Sequence, residues 1–387
     1  MSGLVKLGVP LDRLKYLTKI KAVTIDDLVF RLHYRFTFTA ILVVSILITG
    51  EQFFGKPIKC IKGAGAEVPE KLIESFCWVE GTFTLPKALI KAIDKEIPAP
   101  GVEQFYEKDE VLEHSYYQWV SLVLFLQSLC FYITRYLWKK WEKNKIKGLI
   151  SGLNKVILEK NEKIKTCEGL AKRLVDTRGK YNAYAFRYFI CEVLNFLIVI
   201  LQMVFINWFL GGEFARYGIN VLNYIDRDPN LSEDPMSRVF PKLTKCTFRQ
   251  FGPSGDIKRF DNLCLLPHNI LNEKVYIVLW FWLYVLVIAS GLMVLYRLII
   301  MAFPQSRYYL LHKLHHLVQP KHFDTIITHY SYGDWFVLFL LGKNLDCMHY
   351  RDVIEEISKR LDNTGDEEEP LQNHYNDDEY DASESKV

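Results

Sequence analysis

Four of the eight cysteines stand where thiol chemistry could shape the protein. Cys60 and Cys77 follow the first long apolar run, and Cys246 and Cys264 follow the third. Paired cysteines in polar loops read as disulfides if those loops meet an oxidising compartment. Zinc is the weaker reading, because it needs closely spaced ligands and no pair here has a CxxC-type spacing. Four cysteines allow three pairings, and spacing does not choose among them. Pairing within loops would staple each loop alone, whereas pairing across loops would bind both into one body. The remaining Cys130, Cys191, Cys167 and Cys347 read as plain reduced residues. No phosphate loop, metal-ligand cluster or nucleophile–base set is visible, so the chain reads as neither an enzyme nor a cofactor protein.

The elements that must carry these cysteines are apolar runs long enough to cross a bilayer core, which takes ~20 helical residues. They lie near 36–54, 117–137, 188–210 and 275–303. A soluble domain would need a large polar shell around four such runs, and the rest of the chain cannot supply it. The expected class is an all-α membrane protein with four transmembrane helices per subunit, disulfide-linked α+β extracellular loops and a helical cytoplasmic domain. Its expected divisions are an N-terminal pore-mouth segment 1–29, spans at 30–54, 116–137, 184–211 and 274–303, and outer loops at 55–115 and 212–273. A cytoplasmic loop occupies 138–183, a helical C-terminal region 304–361, and an acidic disordered tail 362–387.

Lys and Arg near the span ends set the orientation. Segment 138–183 holds thirteen Lys/Arg against five Asp/Glu, which places it in the cytosol with both termini. The net charge of +3 is then a topology signal that suits anionic inner-leaflet lipid, not nucleic acid. No cleavable signal peptide is seen, so the first span acts as its own signal. In the outer loops, Pro86 could open a short helix over Lys87–Lys95. The turn chemistry of Phe251–Asp256 predicts a hairpin with strands at Thr244–Phe248 and Ile257–Phe260.

Several residues have a functional and a structural reading. Glu192 is an ionisable group inside a span, costly unless paired, with Arg35 or Arg135 as expected partners. His312, His315 and His316 fall on one helical face, read as a solvated basic surface. Tyr117, Trp119, Trp138 and Trp141 read as interfacial aromatic belts. Ser290-Gly291 allows close helix packing. Asn230-Leu231-Ser232 is a glycosylation sequon, and Ser385-Lys386-Val387 fits a C-terminal ligand for a PDZ scaffold. Polar candidates for lining a pore are Lys6, Asp12 and Arg13 near the start of the chain, with Glu51 and Gln52 at the outer end of the first span.

The motif Tyr116-Tyr117-Gln118-Trp119-Val120 resembles the signature of the innexins, the invertebrate gap-junction proteins. Phe76-Cys77-Trp78, Tyr184-Ala185-Phe186-Arg187, Thr244-Lys245-Cys246-Thr247-Phe248 and Leu279-Trp280-Phe281-Trp282 extend the resemblance to about residue 360. Two cysteines per outer loop also suit this family and the related pannexins. The resemblance implies a homo-oligomer, octameric in the known architecture, or a hetero-oligomer with another innexin. Such a hemichannel would dock with one from an adjacent cell and pass ions and small metabolites at plasma-membrane gap junctions. It also implies disulfides that cross between loops, Cys60 with Cys264 and Cys77 with Cys246, and an N-terminal segment folded into the pore mouth. The alternative is a non-junctional, pannexin-like release channel, which a glycan on Asn230 would favour.

Overall fold

Runs of apolar residues with few charges satisfy their backbone groups internally by forming helices, the only open-chain option inside a bilayer. The computed structural model describes residues 23–62, 68–91, 95–106, 108–153, 160–225 and 234–380. Within them four helices are long and apolar enough to span a membrane. Helix α1 covers Leu28–Phe54 and contains a π-helical stretch at Leu32–Thr37. Helix α3 covers Val120–Glu142, α6 covers Asn182–Phe209, and α9 covers Pro267–Ala302. The short α2, Glu70–Glu80, lies in the loop between α1 and α3.

The chain divides into two compact units. One comprises 29–135 and 193–292. Its apolar core joins Ile41 and Ile48 of α1, Leu124 and Phe131 of α3, Val199 and Ile206 of α6, and Leu283 and Leu286 of α9. Gly291 sits where a Cβ would lie 3.3 Å from Phe196, the close approach expected at Ser290-Gly291. The same unit carries a five-stranded sheet ordered β1-β5-β4-β2-β3. The strands are β1 Lys59–Ile61, β2 Thr82–Thr84, β3 Leu112–His114, β4 Leu243–Phe251 and β5 Ile257–Leu265. Strands β4 and β5 form the expected hairpin, longer than its turn-flanking residues suggested and paired from Leu243↔Leu265 to Phe251↔Ile257. Of the helix expected at Lys87–Lys95, the described residues hold only a 3-10 turn, Pro86–Ala88, while 92–94 lie outside the described residues. Proline at the first position starts that turn, but its neighbours do not continue it. Helices α7, Phe214–Ile225, and α8, Pro235–Val239, complete this unit.

The other unit is built from the described parts of 1–28, 136–192 and 293–387. After α4, Lys145–Leu149, comes α5, Lys160–Asp176. Proline opens α10, Pro304–Leu314, and α11, Pro320–His329, where its fixed φ suits the first turn. Helix α12, Tyr332–Asn344, starts at a capping box of Ser331 and Asp334. Residues Gly333–Gly342 of α12 are all buried, so the other helices wrap it. Helix α13, Cys347–Tyr380, packs on α5 and α11. It runs into the segment expected as an acidic tail as far as Tyr380, and 381–387 lie outside the described residues. Glu and Gln are strong helix formers, so low apolar content does not by itself end the helix.

Gly333 shows how tightly α12 is seated. A Cβ there would lie 2.3 Å from the backbone nitrogen of Asn182, which cannot yield as a side chain could. Gly169 on α5 has open space instead. Gly333→Ala is expected to destabilise the purified protein by about 1–3 kcal/mol, and Gly169→Ala to be neutral or stabilising by up to ~1 kcal/mol. Thermal unfolding followed by tryptophan fluorescence separates the two.

Candidate functional site

Two places concentrate chemistry. The first is the sheet. Its strands come from two distant segments, with β1, β2 and β3 from 55–115 and β4 and β5 from 212–273. In this register Cys60 sits opposite Cys264, and the two are joined by a disulfide. Helix α2 ends at Gly81, whose φ of +102° turns the chain back into β2. Ile73 and Cys77 on its buried face meet β4, and Cys77 is bonded to Cys246. Both bridges therefore cross between segments, as the resemblance implies. Lys245 adds a polar tie, donating to the Glu103 carbonyl at 2.7 Å and pairing with Asp261 at 3.0 Å.

The Tyr116–Val120 motif closes this domain onto the membrane helices. Tyr116 donates its hydroxyl to the Val239 carbonyl at 2.9 Å and packs on Phe209 and Phe240. Tyr117 is fully buried against Trp78 and donates to the Cys77 carbonyl at 3.3 Å. Burial pushes its phenol up to about 12, so it remains a neutral donor. Gln118 Nε2 donates to the Trp78 carbonyl at 2.5 Å and the Val79 carbonyl at 3.2 Å, tying the motif to the end of α2. Gln52 of α1 donates to the carbonyls of Tyr117 and Gln118, both at 3.3 Å, and accepts from Ser121 at 2.8 Å. Its amide thus ties α1 to the motif. Glu51 beside it is exposed. Lys6, Asp12, Arg13, Asn230, Ser385 and Val387 lie outside the described residues.

Beside the motif, His114 is buried in β3, and its Nε2 lies 2.8 Å from Thr84 Oγ1. Burial pulls its pKa down to about 4. The sequence offered no pattern for this histidine, since only strand pairing buries it.

The second place is an ionic cluster in the helical unit. Glu192 of α6 is paired, but not with Arg35 or Arg135. Its partner is Arg297 of α9, whose Nε donates to both carboxylate oxygens at 3.0 and 2.9 Å. Arg135 instead lies over the Tyr34 ring at 4.7 Å. Arg297 also bonds Asp27 through Nη2, and Lys343 of α12 reaches the other Asp27 oxygen at 2.6 Å. Two cations thus balance two carboxylates, with Arg297 over the rings of Tyr188 and Phe336. Burial alone would raise the Asp27 pKa, but Arg297 and Lys343 hold it below the usual carboxylate value. The residues before Asp27 are clamped as well. Asn344 donates to the Thr24 carbonyl at 2.7 Å and accepts from its N–H at 2.6 Å, and Trp138 donates to the Ile25 carbonyl at 3.2 Å.

These contacts correct two expectations. Tyr117 and Trp138 are fully buried hydrogen-bond donors, not belt residues, whereas Trp119 is 55% exposed. His312, His315 and His316 do not share one helical face, because α10 ends at Leu314. His315 is buried, stacked 4.0 Å from Tyr350, and donates from Nε2 to the Gly342 carbonyl at 3.0 Å. The burial lowers its pKa.

A four-span helical protein with a cross-bridged strand domain is the class these features define. The innexin family profile matches residues 26–361. The chain is 42% identical over 354 residues to innexin inx2 of Drosophila melanogaster, covering 91% of this chain and 95% of that one. It is 43% identical over 349 residues to innexin inx2 of Schistocerca americana, covering 90% and 96%. Innexin shaking-B of Drosophila melanogaster is 38% identical over 349 residues, covering 90% and 93%. The chain belongs to the innexin family, whose members form gap-junction channels in invertebrates.

Two outcomes follow from this geometry. Arg297→Gln leaves Glu192 and Asp27 buried without their shared cation, and is expected to cost about 3–5 kcal/mol, whereas the paired change Glu192→Gln with Arg297→Met should cost far less. Thermal unfolding of both variants checks this. His114 should make the strand domain acid-sensitive. Its folded pKa of about 4 lies below the unfolded 6.5, so the unfolded chain takes the proton first. Stability is complete above 6.5 and lost as pH falls toward 4, by roughly 2 kcal/mol at pH 5 at ~1.4 kcal/mol per unit. His114→Gln should remove that slope from the unfolding temperature measured between pH 7.5 and 5.

Proposed function

We propose that this chain is the subunit of an oligomeric hemichannel, octameric by family resemblance, that docks with one from an adjacent cell. The pair forms a gap junction for ions and small metabolites. The strand domain faces outward and both termini face the cytosol, following the excess of Lys and Arg in 138–183. The observation that carries the reading is the covalent union of two outer loops into one sheet. A docking surface must hold its shape before its partner arrives, because disorder would have to be lost on binding. The β4–β5 hairpin supports the same reading. Phe251 and Ile257 pair at its tip and are 75% and 59% exposed. Exposed apolar residues at the end of a rigid hairpin suit contact with another protein. Glu51 and the segment before Thr24 are the polar candidates for the lumen, and the clamp on Thr24–Asp27 would set where that segment starts.

Recording from paired cells and single cells expressing only this chain tests the proposal. Current between paired cells is the expected result. Current across single-cell membranes without coupling would favour the release channel. Phe251→Asp is expected to leave surface delivery and single-cell current intact while removing coupling.

A further inference from the structure

We propose that a cavity where α3 and α6 meet the strand domain binds the headgroup of a zwitterionic phospholipid. The cavity measures about 560 Å³, within the usual range for small-molecule sites. It sits where two spans end. Trp119 immediately precedes α3, and Trp208 is the penultimate residue of α6; both line the cavity. They are 55% and 75% exposed. Tryptophans in that position lie at headgroup level in a bilayer. Leu89, Ile90 and Phe209 supply apolar wall for the glycerol and first methylenes.

The charges decide the headgroup. Arg238 and Glu213 face each other at 3.0 Å and both line the cavity, with Glu113 as a second carboxylate. Their side chains are 45% and 37% exposed, and a pair this open contributes little to stability. Arg238 suits a phosphate through charge-assisted hydrogen bonds. The carboxylates and indole faces suit a quaternary or primary ammonium. Two acids against one base repel a net anionic lipid and accept a dipolar one. The turn after α6 is built for this placement. Gly211 and Gly212 adopt φ of +69° and +91°, and the Gly212 N–H returns to the Asn207 carbonyl at 2.7 Å. That reversal lies between Trp208 and Glu213, both of which line the cavity.

The headgroup chemistry does not rest on the topology proposed above, which adds only that the lipid would lie in the outer leaflet. The test uses the assembled full-length channel in phosphatidylcholine nanodiscs containing phosphatidylcholine with a diazirine near its headgroup. Photolysis and peptide mapping should place adducts within 86–91, 113–119 or 208–213. Arg238→Glu should lower them about tenfold, the loss of a charge-assisted contact, without changing adducts on the exposed α9 residues Val285 and Ile288. Trp208→Ala serves the same purpose if Arg238→Glu fails to assemble. Unlabelled phosphatidylcholine should compete better than phosphatidylglycerol. Labelling no stronger than at Val285 and Ile288 would overturn the proposal. So would equal competition by phosphatidylglycerol, or cross-links from the cavity to a second copy of the chain in place of lipid adducts. None of these readouts needs coupled cells, so the proposal can fail or stand apart from the junctional function.

Discussion

Everything in the strand domain depends on two covalent bonds between segments 204 and 169 residues apart in sequence. Strands β1, β2 and β3 have three residues each, too few to hold a sheet by hydrogen bonds alone. A crosslink over so long a loop removes about 5 kcal/mol of chain entropy from the unfolded state on the loop-closure account. The bridges therefore do more than staple finished loops. They allow strands from two separated loops to share one sheet, and they fix the sheet's register where Cys60 faces Cys264. The motif at Tyr116–Val120 then passes that rigidity to the helices. Its carbonyls and side chains are held by Gln52, α2 and the Val239 carbonyl.

The helical unit solves a different problem with charge. A carboxylate on α6 and a guanidinium on α9 would each be costly at membrane depth, and each removes the cost of the other. Asp27 and Lys343 extend the pair into a balanced set of four. Because Asp27 immediately precedes α1, the same charges that stabilise the helix bundle also fix the point from which the start of the chain departs. A cluster within one body thus constrains a segment that the proposed function assigns to the pore mouth.

Much of this was legible in the sequence because it is written in composition. Four apolar runs, the four loop cysteines and the turn at Phe251–Asp256 are local signals, and the structure has helices and a hairpin there. What the sequence hid depends on long-range pairing. Nothing local distinguishes Arg297 from Arg35 or Arg135 as the partner of Glu192, although Arg297 is the one basic residue deep in the fourth run. Trp138 reads as an interfacial residue until Tyr184 and Tyr188 of α6 pack against it, and His315 reads as helical until α10 stops one residue short. The amide of Gln52 bonds backbone carbonyls that only the fold brings near. Spacing also left the disulfide pairing open, since all three pairings fit the same four positions.

The most direct measurement is a disulfide map of the protein taken from the cell surface, alkylated without reduction, digested and sequenced by mass spectrometry. Linked peptides joining Cys60 to Cys264 and Cys77 to Cys246 are the predicted result. Peptides joining Cys60 to Cys77 and Cys246 to Cys264, or free alkylated thiols at these four positions, would contradict the account of a single outer domain made from two loops.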